Sequence, residues 1–242
     1  MPRPKLHDEA LRARLLDEAG REVSQHGAAA LSLRTVARAA GTSTTAIYSL
    51  FGGKAELLTA VFDEAFRRFG EHLAAVTPGD DPREDLVALA RAYRASALAE
   101  PHFYGVMFGG ATLGVDPSPE SNAAAVGTFA PLVALVQHAI DRGVLRDEDP
   151  LRIATALWAA VHGYTSLELA GLLPGGTASA EAFEAGARAA VDGWAPTPVH
   201  AAAGGTSAGG TSVDRPAAKG TSADGTSAVG FSAGGAAHMA PN

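Results

Sequence analysis

Residues 31–58 read LSLRTVARAAGTSTTAIYSLFGGKAELL, and this stretch has the pattern of two short helices joined by a sharp turn. Ser32 can cap the first helix, and Ser43 can cap the second, which carries Ile47 inward. Gly41 lies between them and supplies the backbone freedom that a tight turn needs. The stretch therefore predicts a helix-turn-helix, whose second helix enters the major groove in proteins that bind DNA.

The outward face of the second helix is small and polar. It carries Thr44, Thr45, Tyr48 and Ser49, which are left to meet a partner when the apolar side turns inward. Lys54 follows at the start of a third helix, where an ammonium group can reach a phosphate. The candidate DNA-binding residues are Ser32, Arg34, Thr35, Ser43, Thr44, Thr45, Tyr48, Ser49 and Lys54.

The net charge of −7 conceals an uneven distribution. Residues 1–56 contain eight Lys or Arg against six Asp or Glu, whereas residues 57–199 contain nine against eighteen. Basic side chains near the motif can supply the phosphate contacts that dominate affinity for DNA. These candidates are Arg3, Lys5, Arg12, Arg34, Arg38 and Lys54. An excess of two is small, so charge alone leaves open both DNA binding and an ordinary solvated surface.

The composition is that of a soluble globular chain, with 242 residues, 47% hydrophobic and 19% charged. The absence of cysteine excludes disulfides, thiolate metal sites and a cysteine nucleophile. We identify no secretory signal and no apolar run of the roughly 18 residues that crossing a bilayer requires. The expected location is the cytoplasm, with no membrane partner.

Helical periodicity continues to about residue 195. The pairs Asp81-Pro82 and Asp149-Pro150 are typical of helix starts, and a loop rich in Gly, Pro and Ser interrupts the pattern at 114–122. The predicted fold is all-α, with about nine helices: an N-terminal three-helix helix-turn-helix domain followed by a helical domain. Beyond the motif, the predicted helices cover about 8–26, 55–76, 82 onward, 101 onward, 129–143, 150–171 and 180–194.

From about Val199 the composition reduces to Ala, Gly, Ser and Thr, which predicts a disordered tail because little apolar surface is available to offset its ordering entropy. Two matches to the hydrolase pattern GxSxG in the tail, at 205–209 and 230–234, lack the strand and helix that a nucleophile elbow needs. The predicted domains are a DNA-binding domain over 1–56, a second helical domain over 57–196 and the tail over 197–242.

The eight histidines form no HExxH pair and no convincing metal spacing, and no phosphate-binding glycine loop follows a strand. We therefore predict no catalytic residues, no metal and no cofactor, and interpret the chain as a DNA-binding protein. A helical interaction module without DNA binding is the first alternative, and an enzyme is the second.

The motif is similar to the N-terminal domain of the TetR family of transcriptional regulators over about residues 8–66. Thr42 and Leu50 depart from the family pattern, and Leu50 removes one side chain that could contact the DNA backbone. Segments 101–110 and 156–171 resemble a C-terminal subgroup with a Trp-His-Gly signature, here Trp158, His162 and Gly163. The N-terminal resemblance is carried by Ser32, Val36-Ala37, Ala40-Gly41, Ser43, Ile47-Tyr48, Phe51 and Lys54.

The resemblance implies a homodimeric repressor that binds operator DNA as an inverted repeat and is released by a small-molecule effector. It makes residues 57–196 the effector-binding and dimerisation domain and places the dimer interface on the last two helices; the alternative is that these helices pack on their own subunit's body. The expected interface residues are Leu157, Val161, Tyr164, Leu167, Phe183, Ala187 and Val191.

An effector cavity is expected among the helices of the second domain, for a neutral or hydrophobic molecule because no cluster of cations occurs there. Aromatic residues at helical spacing more often form a core than a pocket, and His162 is more often a hydrogen-bonded core or interface residue than a ligand contact. The candidate ligand-binding residues are Phe66, Tyr93, Phe103, Tyr104, Met107, Phe108, Phe129, Trp158 and His162.

Overall fold

The computed structural model describes residues 5–108, 118–173 and 175–197, and these residues form α-helices and one short 3-10 helix, with no β-strand among them. The all-α prediction is confirmed, with ten α-helices in the described residues against about nine expected. The predicted tail lies outside the described residues, except for its first residue, Thr197. The helices are α1 (Lys5–His26), the 3-10 helix (Ala28–Ala30), α2 (Leu33–Ala39), α3 (Thr44–Phe51), α4 (Lys54–Ala74), α5 (Pro82–Ala99), α6 (Pro101–Phe108), α7 (Pro119–Gly127), α8 (Ala130–Asp141), α9 (Pro150–Leu169) and α10 (Thr177–Asp192).

Helix α7 occupies part of the segment that the sequence predicted as a loop. Ser118 caps it, because its hydroxyl accepts a hydrogen bond from the Ser121 backbone N–H at 3.0 Å, and Pro119 takes the first helical position. Ser and Pro favour both loops and helix starts, which explains the error. Residues 109–117, which include the rest of the predicted loop, lie outside the described residues.

The first hydrophobic cluster joins the three N-terminal helices to the first half of α4. Leu15, Ala19 and Val23 of α1, which repeat every four residues, are fully buried against Ile47 of α3 and Leu57 of α4. Burial of this kind stabilises by about 1.5–3 kcal/mol for each large aliphatic side chain. The cluster therefore fixes which face of α3 turns inward.

The turn between α2 and α3 depends on Gly41, whose φ is +70°. The backbone N–H of Thr42 donates to the Ala37 carbonyl at 2.8 Å, and the N–H of Gly41 donates to the Arg38 carbonyl at 3.2 Å. This is the Schellman arrangement that ends a helix through a left-handed residue. The predicted role of Gly41 in a sharp turn is confirmed.

Two further clusters form the body of the molecule. One gathers the second half of α4 with α5, α6, α9 and α10, and the other joins the start of α5 to α8 and to residues from α9 and α10. Phe103 and Val106 of α6 belong instead to the N-terminal cluster, so packing crosses the predicted domain boundary at 56–57. The domain limits themselves stay a prediction.

An ion-pair network on Arg68 of α4 ties α1 to the body. Its guanidinium donates to Glu64 at 2.6 Å and to Glu100 at 2.6 Å, lies 3.0 Å from a carboxylate oxygen of Asp17 on α1, and covers the Phe103 ring at 4.7 Å. Burial alone would raise the pKa of Glu64, but hydrogen bonds from Arg67 and Arg68 outweigh it and lower that pKa. The network holds α1 at one position along α4.

Residues Pro119–Asp141 are long and apolar enough, by length and composition alone, to cross a membrane, with a mean hydropathy of 1.6 and 11% of the window buried. The sequence was predicted to contain no apolar run of this length, and by length and composition that prediction is wrong. The structure divides the stretch at Thr128 and Phe129 into α7 and α8, and α8 buries Val136 and Ala139 completely in the body. Part of its apolar character is therefore that of a core helix.

Replacing Gly41 with alanine should destabilise the protein by roughly 1–2 kcal/mol, because an L residue is strained at a left-handed φ. Gly70 provides the matched control, since it lies inside α4 and an added Cβ would make ordinary contact with Thr128 at 3.6 Å. Gly70→Ala should stabilise by up to about 1 kcal/mol. Urea unfolding of both variants measures the difference, and equal effects in the two would contradict the turn assignment.

Candidate nucleic-acid interface and ligand region

Helix α3 presents the predicted face to solvent. Thr44, Thr45 and Ser49 are exposed, and the Tyr48 side chain is 57% exposed, whereas Ile47 between them is fully buried. Ser43 caps the helix, because its hydroxyl accepts from the Ala46 backbone N–H at 3.4 Å. The exposed face is therefore uncharged, rich in hydroxyl groups and held by the core behind it.

Helix α2 places two arginines beside that face. Arg34 and Arg38 are exposed, and neither forms an ion pair among the described residues. They line a depression of about 440 Å³ together with the turn and the first residue of α3. Ser32 caps α2 by accepting from the Thr35 N–H at 3.3 Å, so both of these predicted residues lie at the helix start and are half-buried. The turn thus carries positive charge next to the hydroxyl face.

Lys54 has a partner that the sequence did not predict. Its ammonium donates a hydrogen bond to the Ala29 carbonyl in the 3-10 helix at 2.9 Å, and the residue is half-buried. One of its three N–H groups is therefore used to join the start of α4 to the segment that precedes α2. The other two are left for the predicted phosphate contact, and that role stays a prediction.

Other predicted basic contacts and the departing Leu50 have definite positions. The guanidinium of Arg12 lies over the Phe51 ring at 5.3 Å, which places it beside the end of α3. Leu50 is half-buried and packs against the N-terminal cluster. Arg3 and the side chain of Lys5 lie outside the described part of the chain.

Phe108 is at the centre of a group of aromatic rings that contains most of the predicted ligand residues. Its ring centroid lies 5.0 Å from Tyr104, 4.9 Å from His162 and 6.3 Å from Trp158. Phe66 joins at 6.1 Å from Phe108, Phe129 packs on Trp158, and Met107 borders the same cluster. The structure therefore brings these residues together, although it shows them as closely packed rings.

A hydrogen-bond network lies at one edge of these rings. Nδ1 of His162 is 2.9 Å from the Tyr93 hydroxyl and 2.8 Å from the Tyr104 hydroxyl, which also lies 3.1 Å from the Ser166 hydroxyl. Burial raises the pKa of both tyrosines and lowers the pKa of His162. The network is therefore uncharged near neutral pH.

Phe103 does not belong to this region, and its assignment as a ligand residue is corrected. Its ring is 1% exposed and packs under Arg68, beside His102 at 4.4 Å and against Gly20 of α1. Adjacent residues on a helix point in different directions, so Phe103 and Tyr104 face different clusters.

An open cleft of about 640 Å³ lies between α1, α6 and α9. Only Tyr104 and Phe108 among the predicted ligand residues line it. The other lining residues were not predicted, because no periodic pattern in the sequence shows that α1, a helix of the N-terminal unit, also faces α9. Among the residues that the structure describes, the lining consists of Arg21, Ser24, Gln25, Pro101, His102, Tyr104, Gly105, Phe108, Ser166, Leu169 and Ala170.

The structure corrects the residues predicted for the dimer interface. Five of them are buried within this one chain, so they present no surface to a second: Leu157, Val161, Phe183, Ala187 and Val191. Tyr164 is half-buried and donates to the Ser179 carbonyl at 2.8 Å, while Leu167 is 45% exposed. Helix α9 is apolar on most sides, so the sequence could not show which side faces its own body.

The outward faces of α9 and α10 are rich in small residues at matching intervals. Within the described chain, α9 exposes Ala156, Ala159, Ala160 and Leu167, and α10 exposes Ala178, Ala182, Ala185, Gly186 and Ala189. Residues 156, 160 and 167 and residues 178, 182, 185 and 189 follow helical spacing along one side. We call these residues together the small-residue surface.

Lowering the pH should destabilise the folded chain at pH values higher than those at which carboxylates titrate. Burial lowers the pKa of His162 and of His102 below their ordinary value of about 6.5, so the unfolded chain takes up these protons first. The contribution of these two histidines to the free energy of unfolding is therefore fully present above pH 6.5 and is lost as the pH falls toward their pKa in the folded state. Urea midpoints at pH 7.5 and pH 5.5, at one protein concentration, measure this loss.

The substitution His162→Gln provides an amide that can hydrogen-bond to the tyrosine hydroxyls but cannot take up a proton. The decrease in the urea midpoint from pH 7.5 to pH 5.5 should therefore be smaller in this variant than in the wild type. His138→Gln, at an exposed position of α8, is the control and should behave as the wild type does. If the urea midpoint of His162→Gln decreased as much as that of the wild type, His162 would not be a source of the pH dependence.

Comparison with known proteins places this geometry in a family. The family model described as bacterial regulatory proteins, tetR family, matches residues 15–61, and the model for the tetracyclin repressor-like C-terminal domain matches residues 86–190. An HTH-type transcriptional regulator of Mycobacterium tuberculosis is 28% identical over 192 residues, covering 67% of this chain and 82% of that protein.

Solved structures agree. The crystal structure of the regulatory protein SCO4313 is 30% identical with a TM-score of 0.61 and covers 78% of this chain and 98% of that one. The TetR family regulator PfmR of Thermus thermophilus shares the fold at 24% identity, with a TM-score of 0.59 over 74% of this chain and 95% of that one.

The matching family models and the mycobacterial relative are those of transcriptional regulators, so the prediction of a regulator that is not an enzyme is confirmed. The Trp-His-Gly subgroup stays a prediction. The two family models, the relatives and the exposed face of α3 lead to one conclusion: the chain belongs to the TetR family of helix-turn-helix transcriptional regulators.

Proposed function

We propose that this regulator is a cytoplasmic homodimeric repressor that binds an inverted-repeat operator and is released by a small neutral or hydrophobic effector. The observation that carries this proposal is the outward face of α3. Thr44, Thr45, Tyr48 and Ser49 are exposed on one helix whose opposite side is held in the core by Ile47.

The hydroxyl face suits direct contact with bases. Thr44 and Thr45 occupy the first turn of α3, and in helix-turn-helix proteins the N-terminal residues of the second helix approach the base edges. A threonine offers a hydroxyl to hydrogen-bonding groups and a methyl group to the C5-methyl of thymine. These two residues therefore set base preference.

Positive charge beside the face suits contact with phosphates. Arg34 and Arg38 are exposed on α2, and Lys54 lies at the start of α4 with two N–H groups left after its bond to Ala29. Such contacts hold a protein on DNA through release of counterions and carry no base information. The acidic remainder of the chain is concentrated in the body, away from this face.

Dimerisation uses the small-residue surface of α9 and α10. Alanine and glycine allow helix axes to approach closely, and a Cβ added at Gly186 would meet no atom of the described residues within 4 Å. Two such hairpins related by a twofold axis bury a continuous surface in a four-helix bundle. The arrangement supplies two copies of α3, and the half-sites that they read lie about 34–36 Å apart.

Helix α4 connects the two ends of the molecule. It begins at Lys54 beside the reading face and ends in the body cluster, where Phe69 contacts Tyr93 and Phe108. A molecule that favours another position of α4 changes the separation of the two α3 helices and lowers affinity for the operator. The coupling is limited by the difference in the ligand's affinity for the two states, typically about 1–3 kcal/mol.

Contacts of the two kinds are separable by measurement. Arg38→Ala should weaken binding to all duplexes alike and reduce the dependence of log K on log salt by about one, because one phosphate contact is lost. Thr45→Ala should instead change base preference by up to roughly 1–3 kcal/mol at one position of each half-site. Fluorescence anisotropy with a duplex obtained by binding-site selection, and with its point variants, measures both.

Arg152→Ala is the control for charge, since Arg152 is exposed at the start of α9 and should leave the salt dependence unchanged. An unchanged salt dependence in Arg38→Ala together with altered base preference would reverse the two roles. Absence of binding to any duplex by the wild type would favour the alternative of a helical interaction module.

A charge placed on the small-residue surface should separate the dimer. Ala159→Glu puts a carboxylate on the exposed face of α9, where a second copy would bury it, and should convert the protein to monomers in analytical ultracentrifugation. Ala134→Glu, at an exposed position of α8, is the matched control and should remain a dimer. An Ala159→Glu dimer as stable as the wild type would exclude this face as the interface.

A further inference from the structure

The cleft between α1, α6 and α9 is lined mostly by residues that do not belong to the aromatic cluster around Phe108. Its volume of about 640 Å³ falls within the range of small-molecule sites, about 300–1,000 Å³. Its walls come from the two ends of the protein, since α1 belongs to the N-terminal cluster whereas α9 belongs to the body clusters. A molecule in the cleft would therefore contact both parts at once.

The two walls differ in chemistry. The α1 wall is polar and consists of Arg21, Ser24 and Gln25, which are all exposed. The opposite wall is largely apolar, with Phe108 from α6 and Leu169 from α9. This division fits an amphipathic ligand, with its apolar part toward the body and its hydrogen-bonding part toward α1.

The charges around the cleft are already balanced. Arg21 is paired with Glu18 at 2.5 Å, and among the lining residues that the structure describes it is the one Lys or Arg. Burial, reinforced by the nearby positive charge of Arg21, lowers the pKa of His102, which leaves that ring neutral near pH 7. A charged ligand would have to compete with Glu18 or lie in the cleft without a counterion, whereas an uncharged ligand would not.

The floor of the cleft is rigid because α1 and α6 pack very closely there. A Cβ added to Gly105 of α6 would lie 2.7 Å from the Ser24 hydroxyl, and one added to Gly20 of α1 would lie 3.0 Å from the Phe103 ring. Two glycines on opposite helices therefore set the distance between α1 and α6. Any molecule that spans the cleft acts on a helix pair with little room to adjust.

We propose that this cleft binds a small, uncharged, amphipathic molecule whose apolar part packs on Phe108 and Leu169 and whose polar end hydrogen-bonds to Ser24 and Gln25 of α1. The regulatory consequence rests on the proposed function. Because α1 also carries Leu15 and Ala19 in the N-terminal core, the bound molecule contacts the DNA-binding unit directly and does not act through α4 alone.

Nile red, an uncharged aromatic dye with a carbonyl acceptor, is a suitable probe because its fluorescence rises on transfer from water to an apolar site. The full-length wild type should bind it saturably. Ala170→Trp fills the cleft from its exposed edge on α9 and should weaken dye binding at least about tenfold, whereas Ala134→Trp, at an exposed position of α8, should leave it unchanged. Gln25→Ala, which removes one hydrogen-bonding group, should weaken it by about two- to tenfold.

Equal dye affinity in the two tryptophan variants, or no saturable binding by the wild type, would overturn the proposal. The regulatory part is tested separately, by repeating the operator titration with saturating dye. Dye should lower the operator affinity of the wild type by about fivefold or more and leave that of Ala170→Trp unchanged. A wild type that binds dye in the cleft but binds no duplex would contradict the proposed function and not the site.

Discussion

The burial of Ile47 is the constraint on which the proposed DNA-binding surface depends. This side chain is 0% exposed and packs with Leu15, Val36 and Leu57, so α3 has one possible rotation about its own axis. Helical geometry then leaves positions 44, 45, 48 and 49 on the far side. Nothing in the described core requires polar side chains at these four positions, and their hydroxyl groups suit the proposed contact with DNA.

The same core continues into the second domain, and this continuity is the route by which the proposed ligand would affect DNA binding. Phe103 and Val106 of α6 pack with the N-terminal helices, and Arg68 of α4 joins Asp17 of α1 to Glu100 at the start of α6. A buried or half-buried ion pair adds little net stability, yet it is costly to break in part and therefore favours one arrangement. The N-terminal helices and the body are thus connected through discrete contacts that a bound molecule can stabilise or destabilise.

Features governed by local chemistry were predictable from the sequence, and features governed by long-range packing were not. The caps at Ser32 and Ser43, the turn at Gly41 and the inward position of Ile47 follow from neighbouring residues, and all are confirmed. The assignment of Leu157 and Val161 to a subunit contact was wrong because α9 is apolar around most of its circumference. The bond from Lys54 to Ala29 spans 25 residues and has no sequence signature. The cleft was missed for the same reason, since one of its walls comes from α1.

The central claim, that α3 reads DNA from the major groove in duplicate, is tested most directly by dimethyl sulfate interference on the selected duplex. Methylation at guanine N7 reports major-groove contact, and methylation at adenine N3 reports minor-groove contact. The account predicts two groups of interfering guanines, related by twofold symmetry and centred about 10 base pairs apart or a multiple of that distance. Interference at adenine N3 alone, or in a single unpaired group, would contradict it.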